Sequence, residues 1–592
     1  MTLKEPTTGG SGTDPAPEQP DTPEIVAEGG GAADRKQPTD KIVFGVAAAL
    51  VVAFIVWGIV GTASLSSVAS AVLGGIMSGG GWFFILTASA FVVFAIYLAA
   101  SRYGKIPLGR DDEGPEFRTS SWVAMMFSAG MGIGLMFYGV AEPLAFFTSP
   151  PPGSGATAGS PQALDAAMAT TLFHWTLHPW AIYAVVGLAI AYGTFRKGRS
   201  QLISAAFAPL LGTRRTEGPL GKAIDIFAIF ATLFGSAASL GLGALQIGGG
   251  LDAVGWMSDP GTGVLVAIIV VLTIAFIASA VSGVAKGIQL LSNVNMVLAA
   301  ILAFVVFVVG PTVLILNLLP GAVGHYLADL ASMAARTGAD GPETAEWLQS
   351  WTVFYWAWWI SWTPFVGMFI ARISRGRTIK QFITGVILIP SVVSLVWFAI
   401  FGGAAISEQQ AGNDLASAST EGQLFGLLQS YPLGGILAVI AMLLVAIFFV
   451  SGADAASVVM GTISQKGSIE PGRGIVIFWG AVMGAIAAVM LLVGGSDALS
   501  GIQNITIIMA LPFVIVMVLL CVALFKDLRS DPLIRKEDRA AEAVEQAVDY
   551  GLKEHDGDFI LNVKPLTMAE GADEAKRHGG GTLLPGDPRP EQ

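Results

Sequence analysis

The chain has 592 residues, of which 53% are hydrophobic and only 13% charged, with a formal net charge of -11. Soluble domains carry about twice that charged fraction, so the composition places the chain in a membrane. The acidic balance gives no reason to expect a nucleic-acid partner, and a single cysteine, Cys521, excludes an intrachain disulfide and a cysteine-based metal centre.

Residues 1–40 are rich in Pro, Gly and Glu and have no apolar core, which predicts a disordered cytoplasmic tail and not a cleaved signal peptide. Stretches of about 20 apolar residues, enough to cross a roughly 30 Å hydrocarbon core as helices, then recur up to residue 525. Twelve spans are predicted, at 42–62, 82–100, 119–141, 167–195, 223–249, 262–282, 288–316, 349–371, 382–404, 434–463, 474–495 and 502–525. Unbroken aliphatic runs such as Val264 to Ile277 lack the alternation of a β-barrel, so the fold class is an all-α integral membrane protein.

Lys and Arg concentrate in alternate loops. Seventeen fall after the even-numbered spans and one, Arg336, after the odd-numbered ones, where acids such as Glu142, Asp165 and Asp340 gather. This predicts a plasma-membrane protein with both termini cytoplasmic. Between spans seven and eight, 318–336 reads as amphipathic through Leu327, Leu330, Met333 and Ala334; it is either a helix on the outer membrane surface or an ordinary loop helix covering the bundle. Residues 526–592 form a cytoplasmic tail with fifteen acidic and ten basic residues, helical over Arg535–Leu552 and disordered after Arg577.

Three spans carry unusual chemistry. The third contains Gly130-Met131-Gly132-Ile133-Gly134. Glycine costs about 1 kcal/mol in a helix interior, and small residues for helix packing recur every fourth position, not every second. An interrupted helix lining a substrate cavity competes with simple close packing. In the eighth span, Trp351, Trp356, Trp358, Trp359 and Trp362 put five tryptophans within twelve residues, followed by Pro364. Interfacial belts place Trp at span ends, whereas Trp358 and Trp362 share a face one turn apart, so a cation-binding aromatic cage competes with, and explains the density better than, a belt or an aromatic core. The fourth span adds Phe173-His174-Trp175-Thr176-Leu177-His178-Pro179-Trp180-Ala181-Ile182-Tyr183, with Trp175 and Tyr183 about two turns apart on one face. His174 and His178 read either as hydrogen-bonded packing residues or as proton carriers.

These stretches, with Arg372 to Arg377 and Ala244-Leu245-Gln246-Ile247-Gly248, resemble the betaine/choline/carnitine transporters, and within them the sodium-coupled glycine betaine permeases, over about residues 42–530. The resemblance implies two inverted five-helix repeats (LeuT-like) after two extra N-terminal helices, and a homotrimer among membrane lipids. It implies a trimethylammonium group among Trp175, Tyr183, Trp358, Trp359 and Trp362, with the substrate carboxylate facing Met131, Gly132 and Gly134. One sodium would use Thr232 and Ser236 with Phe365 nearby. A second would use Ser451 with carbonyls of Ser128, Met131 and Phe448. The family has two adjacent hydroxyls at the latter site, where this chain has Ser451-Gly452, so the resemblance implies a weaker site. Choline members carry Asp at the position of Gly134, so its absence implies betaine over choline. The acidic tail departs from the strongly basic tail of osmosensing permeases.

The sequence therefore predicts a sodium-coupled symporter importing glycine betaine for osmotic protection, with Na+ as coupling ion and no other cofactor. The alternatives are an ion-independent or proton-coupled carrier of choline, carnitine, ectoine or proline, and an osmosensing receptor that binds solute without moving it. No nucleophile, base and orienter constellation supports an enzyme.

Overall fold

The structure is a computed structural model that describes residues 38–130, 132–282, 285–468, 470–494 and 497–562, with the backbone alone at 127–130, 280–282 and 285–292. The predicted N-terminal tail up to residue 37, Met131, and the end of the C-terminal tail from residue 563 lie outside the described residues.

Apart from one isolated bridge, Pro107 with Thr378, the regular structure described is helical. The principal helices are α1 (Lys41–Val60), α2 (Thr62–Ala100), α3 (Thr119–Gly130), α4 (Ile133–Thr148), α5 (Pro161–Trp175), α6 (Leu177–Ala191), α7 (Pro219–Ala253) and α8 (Thr262–Ser282). They are followed by α9 (Ala285–Val309), α10 (Thr312–Ala335), α11 (Phe354–Arg372), α12 (Ile379–Gln410), α13 (Gly434–Ser464), α14 (Arg473–Gly494), α15 (Ala498–Arg529) and α16 (Pro532–Glu554).

Ten helices among the described residues are long and apolar enough to cross a membrane, so the chain is a multi-spanning integral membrane protein. They are not simply ten of the twelve predicted spans. The third span is divided into α3 and α4, and the tryptophan-rich α11 is not among the ten. Helix α10, predicted as an amphipathic piece over 318–336, begins at Thr312 and is itself apolar enough to qualify. Its buried face is Ile315, Leu318, Ala322, Tyr326 and Met333, while Leu327 points outward. Helix α2 starts twenty residues earlier than predicted, because the Ser/Gly-rich stretch before Trp82 continues the helix.

Burial sorts the helices. The stretches Pro161–Arg196 and Pro219–Ala253 are almost wholly enclosed, whereas α1, α8 and α10 turn most of their apolar surface outward, as lipid contact requires. Helix α11 lies between α6 and α7. Its approach to α6 depends on small residues: a Cβ at Gly367 would stand 2.9 Å from Val186 Cγ1, and one at Gly187 would stand 2.7 Å from Ile370 Cγ1. Such backbone proximity is the usual packing mode where hydrocarbon removes the hydrophobic drive.

At one end of the bundle the basic loops meet the C-terminal helix. Arg196 holds Asp531 in a two-pronged pair, Nε to Oδ2 and Nη2 to Oδ1 both at 3.0 Å, and Tyr192 donates to the same carboxylate at 2.8 Å. Arg199 pairs with Asp527 at 2.5 Å. Farther out, Lys105 pairs with Glu537 and Arg102 with Asp538 on exposed surface, where such contacts contribute little. The acidity of the tail thus matches the loops it lies on.

Burial pushes the Asp531 carboxyl up, but hydrogen bonds from Arg196 and Tyr192 outweigh it and hold the group below the usual carboxylate range. A carboxyl whose folded value is depressed stabilises the fold at neutral pH, and that contribution is lost as pH falls from the ordinary carboxylate range through the folded value. Asp531→Asn is therefore expected to cost about 3 kcal/mol at neutral pH, the low end for one partner of a buried pair because Asp111 still faces Arg196, and to flatten the acid limb. Thermal unfolding of the detergent-purified protein at several pH values checks both; an unchanged profile contradicts the assignment.

Candidate functional site

Two helices break at the same place in the bundle. Helix α3 ends at Gly130 and α4 begins at Ile133, with Gly132 extended between them (φ -170°, ψ -178°). The predicted interruption of the glycine stretch is thus present. The second break was not foreseen: α5 ends at Trp175, Thr176 has φ -119° and ψ -104°, and α6 starts at Leu177. Pro179 accounts for it, since it has no N–H to offer the carbonyl of Trp175 and its ring crowds that carbonyl. Helix α11 passes both breaks intact through Pro364, and the Ile360 carbonyl that this proline cannot bond accepts from the Thr363 hydroxyl at 2.6 Å.

A narrow cleft, part of it open to solvent, lies where these segments meet. Its walls are Gly132, Gly134, Leu135, Trp175, Pro179, Trp180, Tyr183, Trp358, Trp359, Trp362 and Ser394. Every predicted substrate residue except Met131, which is outside the described residues, is brought together here.

The rings are held edge to face and face to face: Trp358 stacks on Trp359 at 4.8 Å, Trp175 meets Trp359 edge-on at 4.9 Å, and Trp358 meets Trp362 edge-on at 6.4 Å. Tyr183 joins through Trp359 at 6.3 Å and through Trp180 at 5.3 Å. Four indole N–H groups are tied down. Trp358 donates to Ser239 Oγ at 3.1 Å, Trp359 to the His174 carbonyl at 3.1 Å, Trp362 to the Gly235 carbonyl at 2.9 Å, and Trp175 to Glu142 Oε2 at 2.6 Å. With their polar edges occupied, these rings have only π faces and carbon edges left for a guest. Gly134 is the hinge of the arrangement: a Cβ there would stand 2.7 Å from Trp358 Cη2 and 2.9 Å from Trp175 Cη2. An acid in place of Gly134, the substitution that resemblance links to choline, has no room until both rings move.

The first turn of α4 faces the cleft at Gly132 and Gly134, giving its free N–H groups access to an anionic guest. The cleft can therefore take a diffuse cation at its aromatic end and an anionic group at the helix terminus.

Of the predicted sodium ligands, Thr232 is fully buried on α7 and its hydroxyl donates to the Ala228 carbonyl at 2.9 Å. Ser236 is buried one turn further on, beside the Gly235 carbonyl that Trp362 binds, and Phe365 packs edge-on against Trp362 at 5.8 Å. The first predicted set is thus adjacent to the aromatic cleft. Ser451 on α13 donates to the Ile447 carbonyl at 2.9 Å and to the Phe448 carbonyl at 3.3 Å. Of the other two predicted carbonyls, that of Ser128 belongs to the last turn of α3, and that of Met131 lies outside the described residues.

Sequence reasoning missed several residues. Trp180 and Ser394 line the cleft. Trp180 was passed over because a continuous helix put only Trp175 and Tyr183 on one face; Pro179 was the signal available. Glu142, taken as an acid of an outer loop, is buried within α4, which runs seven residues beyond the predicted end at 141. His174 is paired with Glu142, and His178 stacks on Trp356 at 4.9 Å with Ser89 Oγ 3.3 Å from its Nε2.

Fold and site define a polytopic membrane protein whose broken helices border an aromatic-lined cleft within the bundle. The chain belongs to the BCCT family of betaine/carnitine/choline transporters, whose signature matches residues 42–533. It is 47% identical over 536 residues to the betaine/ectoine transporter LcoP of Corynebacterium glutamicum, covering 90% of this chain and 85% of that protein. It is 46% identical over 505 residues to the glycine betaine transporter OpuD of Bacillus subtilis, covering 85% and 97%. Glycine betaine transporter 1 of Vibrio parahaemolyticus is 40% identical over 498 residues, covering 83% and 94%. The protein is thus a BCCT-type transporter and not an enzyme.

Proposed function

We propose that the protein is a sodium-coupled symporter that imports glycine betaine by alternating access. The observation that carries this reading is the aromatic cleft itself, six rings around one cavity with four indole N–H groups already bonded elsewhere. A quaternary ammonium donates no N–H hydrogen bond, so aromatic faces are its natural partners, each contributing about 2 kcal/mol when desolvated. Betaine also carries a carboxylate, which suits the start of α4. The names of the Corynebacterium and Bacillus relatives support the same solute class.

For sodium, the hydroxyl geometry is favourable. Thr232 and Ser451 each spend their hydrogen on a carbonyl of their own helix, leaving oxygen lone pairs free to accept a hard cation. Betaine has no net charge, so two sodium ions carry two charges inward and gain about 4.6 kcal/mol across 100 mV, enough for accumulation on the order of a thousandfold. In this reading the chain makes twelve spans, with two inverted five-helix repeats after α1 and α2, and assembles as a homotrimer in the plasma membrane. Both termini and the basic loops are cytoplasmic, and uptake serves osmotic protection.

Sodium dependence tests the ion part. Ser451→Ala and Thr232→Ala are each expected to raise the half-saturating sodium concentration for betaine uptake several-fold. Gly452→Ser is expected to lower it by restoring a second hydroxyl, for which the space beside Gly452 is open. Identical sodium dependence in wild type and all three variants overturns sodium binding at these positions. Ectoine, carried by name in the Corynebacterium relative, is the second substrate this reading admits, because its cyclic amidinium is also a diffuse cation; competition of unlabelled ectoine with labelled betaine measures it.

A further inference from the structure

At the N–H edge of Trp175, against the cleft wall, lies a buried polar cluster of which the transport reading uses only the indole bond. Glu142 is completely enclosed, and its carboxylate meets three groups at 2.6 Å: Trp175 Nε1 and the Tyr355 hydroxyl on Oε2, and His174 Nδ1 on Oε1. The other nitrogen of His174 stands 2.9 Å from Thr352 Oγ1. Three elements converge here, α4 through Glu142, α5 through His174 and Trp175, and α11 with the turn before it through Tyr355 and Thr352. The Trp175 contact can only run toward the carboxyl group, since an indole N–H has no acceptor role, and the Tyr355 hydroxyl donates to the same oxygen. A carboxylate is an acceptor at every lone pair and suits all three neighbours.

Placement is what makes the cluster informative. Trp175 is the last residue of α5 before the break at Thr176, so its backbone is not held by a continuous helix on both sides. Its ring edge nevertheless comes close enough to Gly134 and Trp359 to help form the cleft wall. The rings of Tyr355, Trp359 and Phe398 pack against the indole, and the Glu142 bond is the polar contact that orients its N–H edge at the broken end. It also acts electronically: a short charge-assisted bond to the N–H polarises the indole and increases electron density on its faces, and those faces attract a cation.

Resting on the trimethylammonium reading of the cleft, we propose that Glu142 is a positioning residue that sets both the orientation and the cation affinity of the Trp175 face. It never touches the solute. Its effect falls on the charge of the guest's head group more than on its shape.

That distinction supplies the test. Glycine betaine and 3,3-dimethylbutanoate have nearly the same shape and the same carboxylate, but the second has a neutral carbon where the first has quaternary nitrogen. Inhibition of labelled betaine uptake by each, in proteoliposomes of the full-length protein, gives a cation preference. Glu142→Gln is expected to reduce that preference at least threefold, mainly by weakening betaine, with dimethylbutanoate inhibition little changed. In a Trp175→Phe background, which lacks the N–H, the same substitution is expected to change the preference no further. Glu142→Asp keeps the charge but withdraws it by one methylene from the indole, and an intermediate loss is expected. If Glu142→Gln does not reach the membrane, Glu142→Asp carries the test. Equal losses for both inhibitors, an unchanged preference in the variants that reach the membrane, or an undiminished effect in the Trp175→Phe background overturns the proposal. If wild type shows no preference for betaine over dimethylbutanoate, the fault lies with the trimethylammonium reading, and the proposal falls with it.

Discussion

Trp362→Leu is expected to raise the betaine concentration for half-maximal uptake at least tenfold while the protein reaches the membrane in normal amount. Trp362 is the partly buried tryptophan of α11, packed edge-on against Trp358 and Phe365 and anchored by its N–H to the Gly235 carbonyl. Leucine keeps most of the apolar contact but removes the ring face, and losing about 2 kcal/mol of cation–π attraction corresponds to more than tenfold in affinity. The freed Gly235 carbonyl keeps its place in α7, so the cost to folding is modest. Trp362→Phe retains a weaker face and should fall between. Transport kinetics with surface-exposure labelling separate affinity from expression. Wild-type affinity in Trp362→Leu means that this ring is packing and not part of the cage.

Gly134→Ala is expected to reduce betaine uptake at least tenfold, and Gly134→Asp to abolish uptake of betaine and choline alike. The Cβ of either residue meets Trp358 and Trp175 at 2.7 and 2.9 Å, well inside carbon–carbon contact distance. Neither ring can swing freely, because each is tied at its N–H, Trp358 to Ser239 and Trp175 to Glu142. Overpacking of this kind costs about 1–3 kcal/mol, and here the strain falls on the two rings that form the cleft. The family resemblance suggests a switch toward choline for the aspartate variant; the crowding opposes it. Competition assays with labelled choline and betaine decide between them, and choline transport by Gly134→Asp would falsify the crowding argument.

The site was legible in the sequence to the extent that its chemistry is locally dense. Five tryptophans in twelve residues and glycines at every second position stand out against any apolar helix, and they mark both the aromatic cleft and the first break. The second break depended on a single proline, Pro179, inside a span read as one continuous helix, so Trp175 and Tyr183 were assigned to one face of it and Trp180 was overlooked. Glu142 was assigned to water because a charge followed by proline reads as the end of a span. Its three buried partners come from positions up to 213 residues away, and nothing local announces them. Span boundaries failed for a related reason: Gly and Ser weaken the apolar signal before Trp82, yet the chain remains helical. Thr232 and Ser236 were candidates through the family resemblance alone, and their position beside Trp362 follows from the packing of α7 on α11.

Uptake of labelled glycine betaine into proteoliposomes under an imposed inward sodium gradient, compared with a potassium gradient of the same size, tests the central claim most directly. Accumulation above the external concentration that requires sodium, carries net positive charge inward and collapses in Trp362→Leu is the result expected of a sodium-driven carrier with an aromatic trimethylammonium site. Betaine that equilibrates without sodium, or accumulates equally in wild type and Trp362→Leu, contradicts it.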